Sequence, residues 1–355
     1  MKGRLRFLAT LMLVFAVVSP LAGCQQEKTT MKVLNAGSLM VPFKEMEREF
    51  ESQHPNVDVL IEGHGSIQVI RHVTEVAGIA GEPVADVVAV ADYSLIPKMM
   101  YNAQIPGTTE KYADWCVNFA TNSLGIAYTS QSKYADEIND TNWYQILSKP
   151  DVKVGMSDPR FDACGYRALM LCQLAELFYN DEKIFEDVLG DFSYPITISE
   201  RANVYTISVP EILEPERIAI RDSSVKLLFP LKSGDIDYAF EYKSVAEQHG
   251  MKFLELPPEI NLESDDYKTL CHGITVKLAF KRFASVTPEF ECQPIVYGIT
   301  IPQNAPHPEF AVEFVKFVIS SQGQEILRRE NQPPIAPAEV DNLDKLHIEL
   351  RPLMK

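Results

Sequence analysis

Apolar positions along the chain switch repeatedly between a two-residue and a three-to-four-residue period. Lys32-Val-Leu-Asn-Ala36 reads as a strand that ends on Gly37-Ser38. Phe43, Met46 and Phe50 then fall on one face of an acidic, solvated helix. Val57-Asp-Val-Leu-Ile61 reads as the next strand, closed by Gly63-His-Gly-Ser66, and Ile67, Ile70 and Val73 return to helical spacing. Ala85-Asp-Val-Val-Ala-Val90 is a buried strand before Ala91-Asp-Tyr93. Strand–helix alternation of this kind predicts an α/β unit, a mostly parallel sheet flanked by helices.

The same logic continues into a second unit. Leu124-Gly-Ile-Ala-Tyr128 and Val152-Lys-Val-Gly-Met156 read as strands, Cys164 to Phe178 as a helix, and Ile236 to Phe240 as a further strand. Pro294-Ile-Val-Tyr-Gly-Ile-Thr-Ile301 is placed to carry the chain back to the first unit, whose last helix shows Phe310, Phe314, Phe317 and Val318 as its stripe. The expected division is residues 31–114 plus 297–355 for lobe I and 115–296 for lobe II. Chains that cross between lobes in this way form a cleft that closes by hinge motion. The Pro- and Glu-rich stretch Val209 to Arg217 is expected to be an exposed excursion.

The N-terminus changes the setting. Lys2, Arg4 and Arg6 precede an apolar run from Phe7 to Val18 and the small-residue ending Leu21-Ala-Gly-Cys24. Residues 1–23 therefore read as a signal peptide, Leu-Ala-Gly-Cys resembles a lipobox with Cys24 acylated, and residues 24–30 form a polar tether. The expectation is an extracytoplasmic protein, tethered by lipid to the cell membrane and acting as a monomer. Net charge is −16 for the full chain, and removing residues 1–23 takes three basic groups and no acid, leaving −19. Such a surface repels nucleic acid. Cys116, Cys164, Cys172, Cys271 and Cys292 remain, with no C-x-x-C spacing; Cys271 and Cys292 flank a hairpin-like stretch, but sequence leaves the pairing open.

Candidate chemistry gathers where strands end. Ser38 and Ser66 sit at strand-to-helix turns, and Ser224 opens another helix. Serines there cap helices, and the same N–H groups can hold an anion. Two acids, Asp162 at the start of the helix carrying Cys164 and Glu241 beside Tyr242, sit at comparable places in the second lobe. Nucleophile elbows, zincin motifs, phosphate loops and dinucleotide fingerprints are absent from the sequence. An enzyme would need Cys164 as nucleophile with His64 or His272 as base, and nothing beyond residue type supports that.

Gly37-Ser-Leu39, Gly65-Ser-Ile67, Ser157-Asp-Pro159, Asp162-Ala-Cys-Gly-Tyr-Arg167 and Phe240-Glu-Tyr-Lys-Ser-Val-Ala246 resemble the tungstate/molybdate-binding proteins of the archaeal type. Pro294 to Pro302, Ser321-Gln-Gly-Gln-Glu-Ile-Leu327 and Gln332-Pro-Pro-Ile335 are similar too, so the likeness runs with gaps over nearly all of the mature chain. The resemblance implies the two-lobed periplasmic-binding-protein fold of type II and a receptor that hands its cargo to the permease and ATPase of an ABC importer. It implies no cofactor beyond the cargo, tungstate or molybdate. By the same resemblance Ser38 and Ser66 hold the oxyanion, the N–H groups of Cys164 and Ser224 donate to it, and Tyr242 stands at the rim. Asp162 and Glu241 would complete an octahedral shell around the metal. Ala163 departs from a Pro often found after the first carboxylate, and residues 199–217 match the family poorly. The alternatives are a receptor for sulfate or phosphate and an extracytoplasmic hydrolase on the same scaffold.

Overall fold

The computed structural model describes residues 28–76, 83–190, 192–264, 268–279 and 289–355. Residues 1–23, expected to be a signal peptide, lie outside the described residues, as do Cys24 and most of the expected tether. In chain order the strands are β1 (Thr29–Ala36), β2 (Val57–His64), β3 (Val87–Val90), β4 (Val117–Thr121), β5 (Leu124–Tyr128) and β6 (Val154–Ser157). They continue with β7 (Thr197–Arg201), β8 (Val204–Val209), β9 (Ile218–Arg221), β10 (Tyr238–Tyr242) and β11 (Lys252–Leu254). The last are β12 (Ile274–Leu278), β13 (Glu289–Glu291), β14 (Val296–Thr300) and β15 (Pro334–Val340).

Among the described residues these strands make three sheets. The first has the order β15-β4-β14-β3-β1-β2. Its strands β2, β1 and β3 are parallel, and β14, β4 and β15 extend it antiparallel. Val57, Val59 and Ile61 of β2 face inward while Asp58 and Leu60 face out, whereas all four residues of β3 are buried. A strand covered on both faces reads as continuous apolar sequence.

The second sheet has the order β11-β5-β10-β6-β9, and its core strands β10, β6 and β9 are parallel. The chain leaves the first sheet after Thr121 and enters the second at Leu124, so the division expected at 115 moves past β4. The return falls at Val296 rather than 297. The cause is pairing: Val117 stands opposite Ile299, and apolar alternation alone does not say which sheet a strand joins.

A third sheet, β13-β12-β8-β7, is not expected from sequence. It is tied by a disulfide between Cys271 and Cys292, the pair that flanks the hairpin-like stretch. In β7 only Ile198 is even half-buried, so its pairing with β8, not apolar periodicity, makes it a strand.

Four helices pack against these sheets and bear on the site: α1 (Met40–Gln53), α2 (Ser66–Arg71), α3 (Ala163–Tyr179) and α4 (Pro308–Ile319). Phe43 and Phe50 of α1 meet the Phe314 ring of α4 edge-on at 6.0 and 5.3 Å between centroids. Each such pair adds about 1 kcal/mol beyond the area it buries. This clamp joins the start of the first lobe to the end of the chain. Helix α3 is buried from Ala163 to Glu176 and apolar almost all round, as a central helix must be.

Candidate functional site

Parallel neighbours deliver their C-terminal ends to one edge. In the second sheet β6 leads to Asp162, β9 leads to Ser223 and Ser224, and β10 ends with Glu241 and Tyr242. In the first sheet β1 leads to Ser38, β2 to Ser66, and β3 to Ala91. All seven residues singled out in the sequence are buried.

The two sets of turns touch each other directly. The backbone N–H groups of Ile67 and Gln68, at the start of α2, both donate to the Phe161 carbonyl across the divide, at 3.1 and 3.2 Å. Gly65 permits this approach, since a Cβ there would stand 2.4 Å from the Phe161 oxygen and 2.7 Å from that of Asp222. Gly37 is in the same position, with the Ser223 hydroxyl 2.8 Å from where its Cβ would lie.

Asp162 is the meeting point. Its Oδ2 accepts from the Ser224 N–H at 2.8 Å. Burial raises its pKa, while hydrogen bonds from the Ser224, Cys164 and Ser66 backbones and the Ser157 side chain favour the ionised form. Donors from both lobes thus converge on this carboxylate.

Glu241 is less well served. Its Oε1 accepts from the Tyr242 N–H at 2.9 Å, and its Oε2 has no hydrogen-bond partner of good geometry. Burial pushes its pKa up to about 8, against the Tyr242 N–H and the Ser224 hydroxyl, and the Asp162 charge adds to the rise. Two buried carboxylates close enough for one charge to disfavour the other are a costly arrangement unless something electrophilic joins them.

The serines are oriented from behind. The Tyr297 hydroxyl donates to Ser38 Oγ at 2.9 Å and in turn accepts from Asn122 Nδ2 at 3.0 Å. Asn122, in the segment crossing between the sheets, also reaches Ser244 Oγ at 2.8 Å. Ser66 Oγ accepts from the Ala91 N–H at 3.0 Å.

Arg167 is not singled out by the sequence, and it is the one buried Lys or Arg among the described residues. From α3 in the second lobe its Nη1 donates to the Ala91 carbonyl of the first lobe at 2.6 Å and to the Tyr242 hydroxyl at 2.9 Å. Burial works against its charge, but Tyr242, Asp92 and Tyr166 outweigh it and hold the guanidinium ionised. Tyr242 is therefore less a rim group than part of this link. A signal was available: Arg167 is the charge inside an otherwise apolar helix, one turn after Cys164.

Cys164 directs its backbone N–H at Asp162. Its thiol donates to the Phe240 carbonyl at 3.6 Å, and burial, with Glu241 and Asp162 nearby, pushes its pKa well above the usual thiol range. A thiol so held is protonated and inert as a nucleophile. His64 is engaged with Glu62 at 3.0 Å, and His272 lines a separate open groove with Tyr93, Glu259, Cys292 and Gln293. That groove contains none of the seven residues.

Comparison with known proteins places the chain in a family. A family described as bacterial extracellular solute-binding protein matches residues 31–330. An uncharacterized solute-binding protein of Methanoculleus marisnigri is 44% identical over 313 residues, 88% of this chain and 83% of that one. The molybdate/tungstate-binding protein WtpA of Pyrococcus abyssi is 38% identical over 361 residues, 97% of this chain and 98% of that one. Among solved structures, the periplasmic molybdate-binding protein of Azotobacter vinelandii aligns with a TM-score of 0.51 over 85% of this chain and 98% of that one, at 14% identity. That last likeness speaks to the fold alone.

Proposed function

Because the chain belongs to the bacterial extracellular solute-binding protein family, we propose that it captures tungstate or molybdate outside the cytoplasm and delivers it to an ABC importer. In this reading Ser38 and Ser66, with the N–H groups of Cys164 and Ser224, hold the oxyanion's outer oxygens. Asp162 and Glu241 each give an oxygen to the metal and complete an octahedral shell. A monomer tethered through acylated Cys24 would present the closed, loaded lobes to permease and ATPase subunits.

The observation that carries the reading is the pair of buried carboxylates among N–H donors. A carboxylate ~4 Å from an anion costs on the order of 4 kcal/mol per unit charge pair at an effective dielectric near 20. Where the acids are ionised, sulfate and phosphate offer no relief from that repulsion. Hexavalent tungsten and molybdenum can accept two more oxygen ligands, so the same acids become bonds. Selection then arises because one oxyanion class is bound and the others are repelled. The 38% identity with a molybdate/tungstate-binding protein supports the same cargo.

Titration calorimetry with tungstate, molybdate and sulfate tests this on wild type, Asp162→Asn and Glu241→Gln. Tungstate affinity should fall by about 100-fold or more in each variant, equivalent to about 2.7 kcal/mol. Sulfate binding should stay weak or improve. Unchanged discrimination in both variants would overturn the proposal.

A further inference from the structure

A second cluster of ligating side chains lies at the end of β2, outside the residues assigned to the oxyanion. Glu62 and His64 are two apart on that strand and so share a face. His72 follows α2 directly, and its ring meets the His64 ring edge-on at 4.6 Å between centroids. One ligating atom from each of Glu62, His64 and His72 falls within 4.8 Å of the others, and all three residues are half-buried. We propose that these three residues bind a divalent transition-metal ion of the zinc type, with a water completing the shell.

The donor set suits that chemistry. Two imidazoles and one carboxylate with a fourth open position form a recurrent tetrahedral arrangement for zinc. Ligand atoms on one such ion, with bonds of ~2.0–2.1 Å, stand about 3.4 Å apart, so modest rotamer changes close the shell. Glu62 is already divided for the purpose: Oε2 takes the Lys32 ammonium at 2.6 Å, and Oε1 lies 3.0 Å from His64 Nε2. An ordinary Glu–His surface pair explains those two residues but not the second imidazole pressed against the first. Bound metal would join the residue just before α2's approach, His64, to the one just after it, and so pin α2 to β2.

Cobalt(II) titration of the EDTA-treated protein, followed by its visible absorption, tests the site. One saturating equivalent with tetrahedral-type absorption is expected, displaced by zinc(II), and weakened at least about tenfold by His72→Asn. Lys32→Met frees Glu62 Oε2 and should tighten cobalt binding, a gain that damage to the fold would not produce. A titration without saturation, or equal cobalt affinity in wild type and His72→Asn, overturns the proposal.

Discussion

The Ser224 N–H donates to Asp162 Oδ2 at 2.8 Å where β9 and β6 end side by side. One carboxylate oxygen is thereby held by a backbone donor that the proposed function assigns to the oxyanion, so loading hands this N–H from the carboxylate to the cargo and frees the carboxylate oxygen for the metal. Ser66, from the other lobe, adds its own N–H to the same carboxylate. Asp162 is thus both a proposed metal ligand and a fastener between lobes.

Gly65 should be as sensitive as any charged residue. A Cβ there would collide with the carbonyl oxygens of Phe161 and Asp222, which belong to the backbone and cannot rotate away. Gly65→Ala is expected to hold the lobes apart and weaken tungstate affinity by about tenfold or more, equivalent to at least ~1.4 kcal/mol. The melting temperature without ligand should change little. Calorimetry and a thermal melt on the same sample check both halves.

Glu241 predicts a definite pH dependence. Its pKa rises from 4.5 in the unfolded chain to about 8 in the fold, so between those values the folded protein keeps a proton that the unfolded chain has released. Its contribution to stability is therefore full below pH 4.5 and is lost as pH rises toward about 8. Glu176, raised to about 7, acts with the same sign, so the comparison must be with Glu241→Gln, which should flatten part of the slope in urea melts. Ligation needs the ionised carboxylate. Tungstate affinity should accordingly climb by up to about tenfold per pH unit to near pH 8 and then level, with proton release seen in buffers of different ionisation enthalpy.

Arg167 is expected to hold the lobes together through its bonds to the Ala91 carbonyl and the Tyr242 hydroxyl. Arg167→Met should weaken oxyanion binding by about 10–100-fold, and Arg167→Lys should rescue little, because an ammonium lacks the planar fork that reaches several acceptors. A lowered melting temperature with unchanged affinity would instead confine Arg167 to packing.

The strands and the ligand candidates were legible because they rest on local rules. Strands such as β2 show their period, and serines and acids at strand ends stand out against apolar runs. What sequence could not give was partnership between distant segments. Val117–Thr121 reads as a strand in any sheet, and only its pairing with β14 and β15 assigns it to the first. Thr197–Arg201 carries no apolar alternation at all and is held by β8, with the Cys271–Cys292 disulfide bracing the same sheet. Arg167 is missed for the opposite reason: its helix looks like plain core, although the charge within it is the clue.

Tungsten L3-edge X-ray absorption of the tungstate-loaded protein tests the central claim most directly. Six oxygens around tungsten are predicted, falling toward four when Asp162 and Glu241 are replaced by Asn and Gln. Four-coordinate tungsten in the wild-type protein would contradict the account.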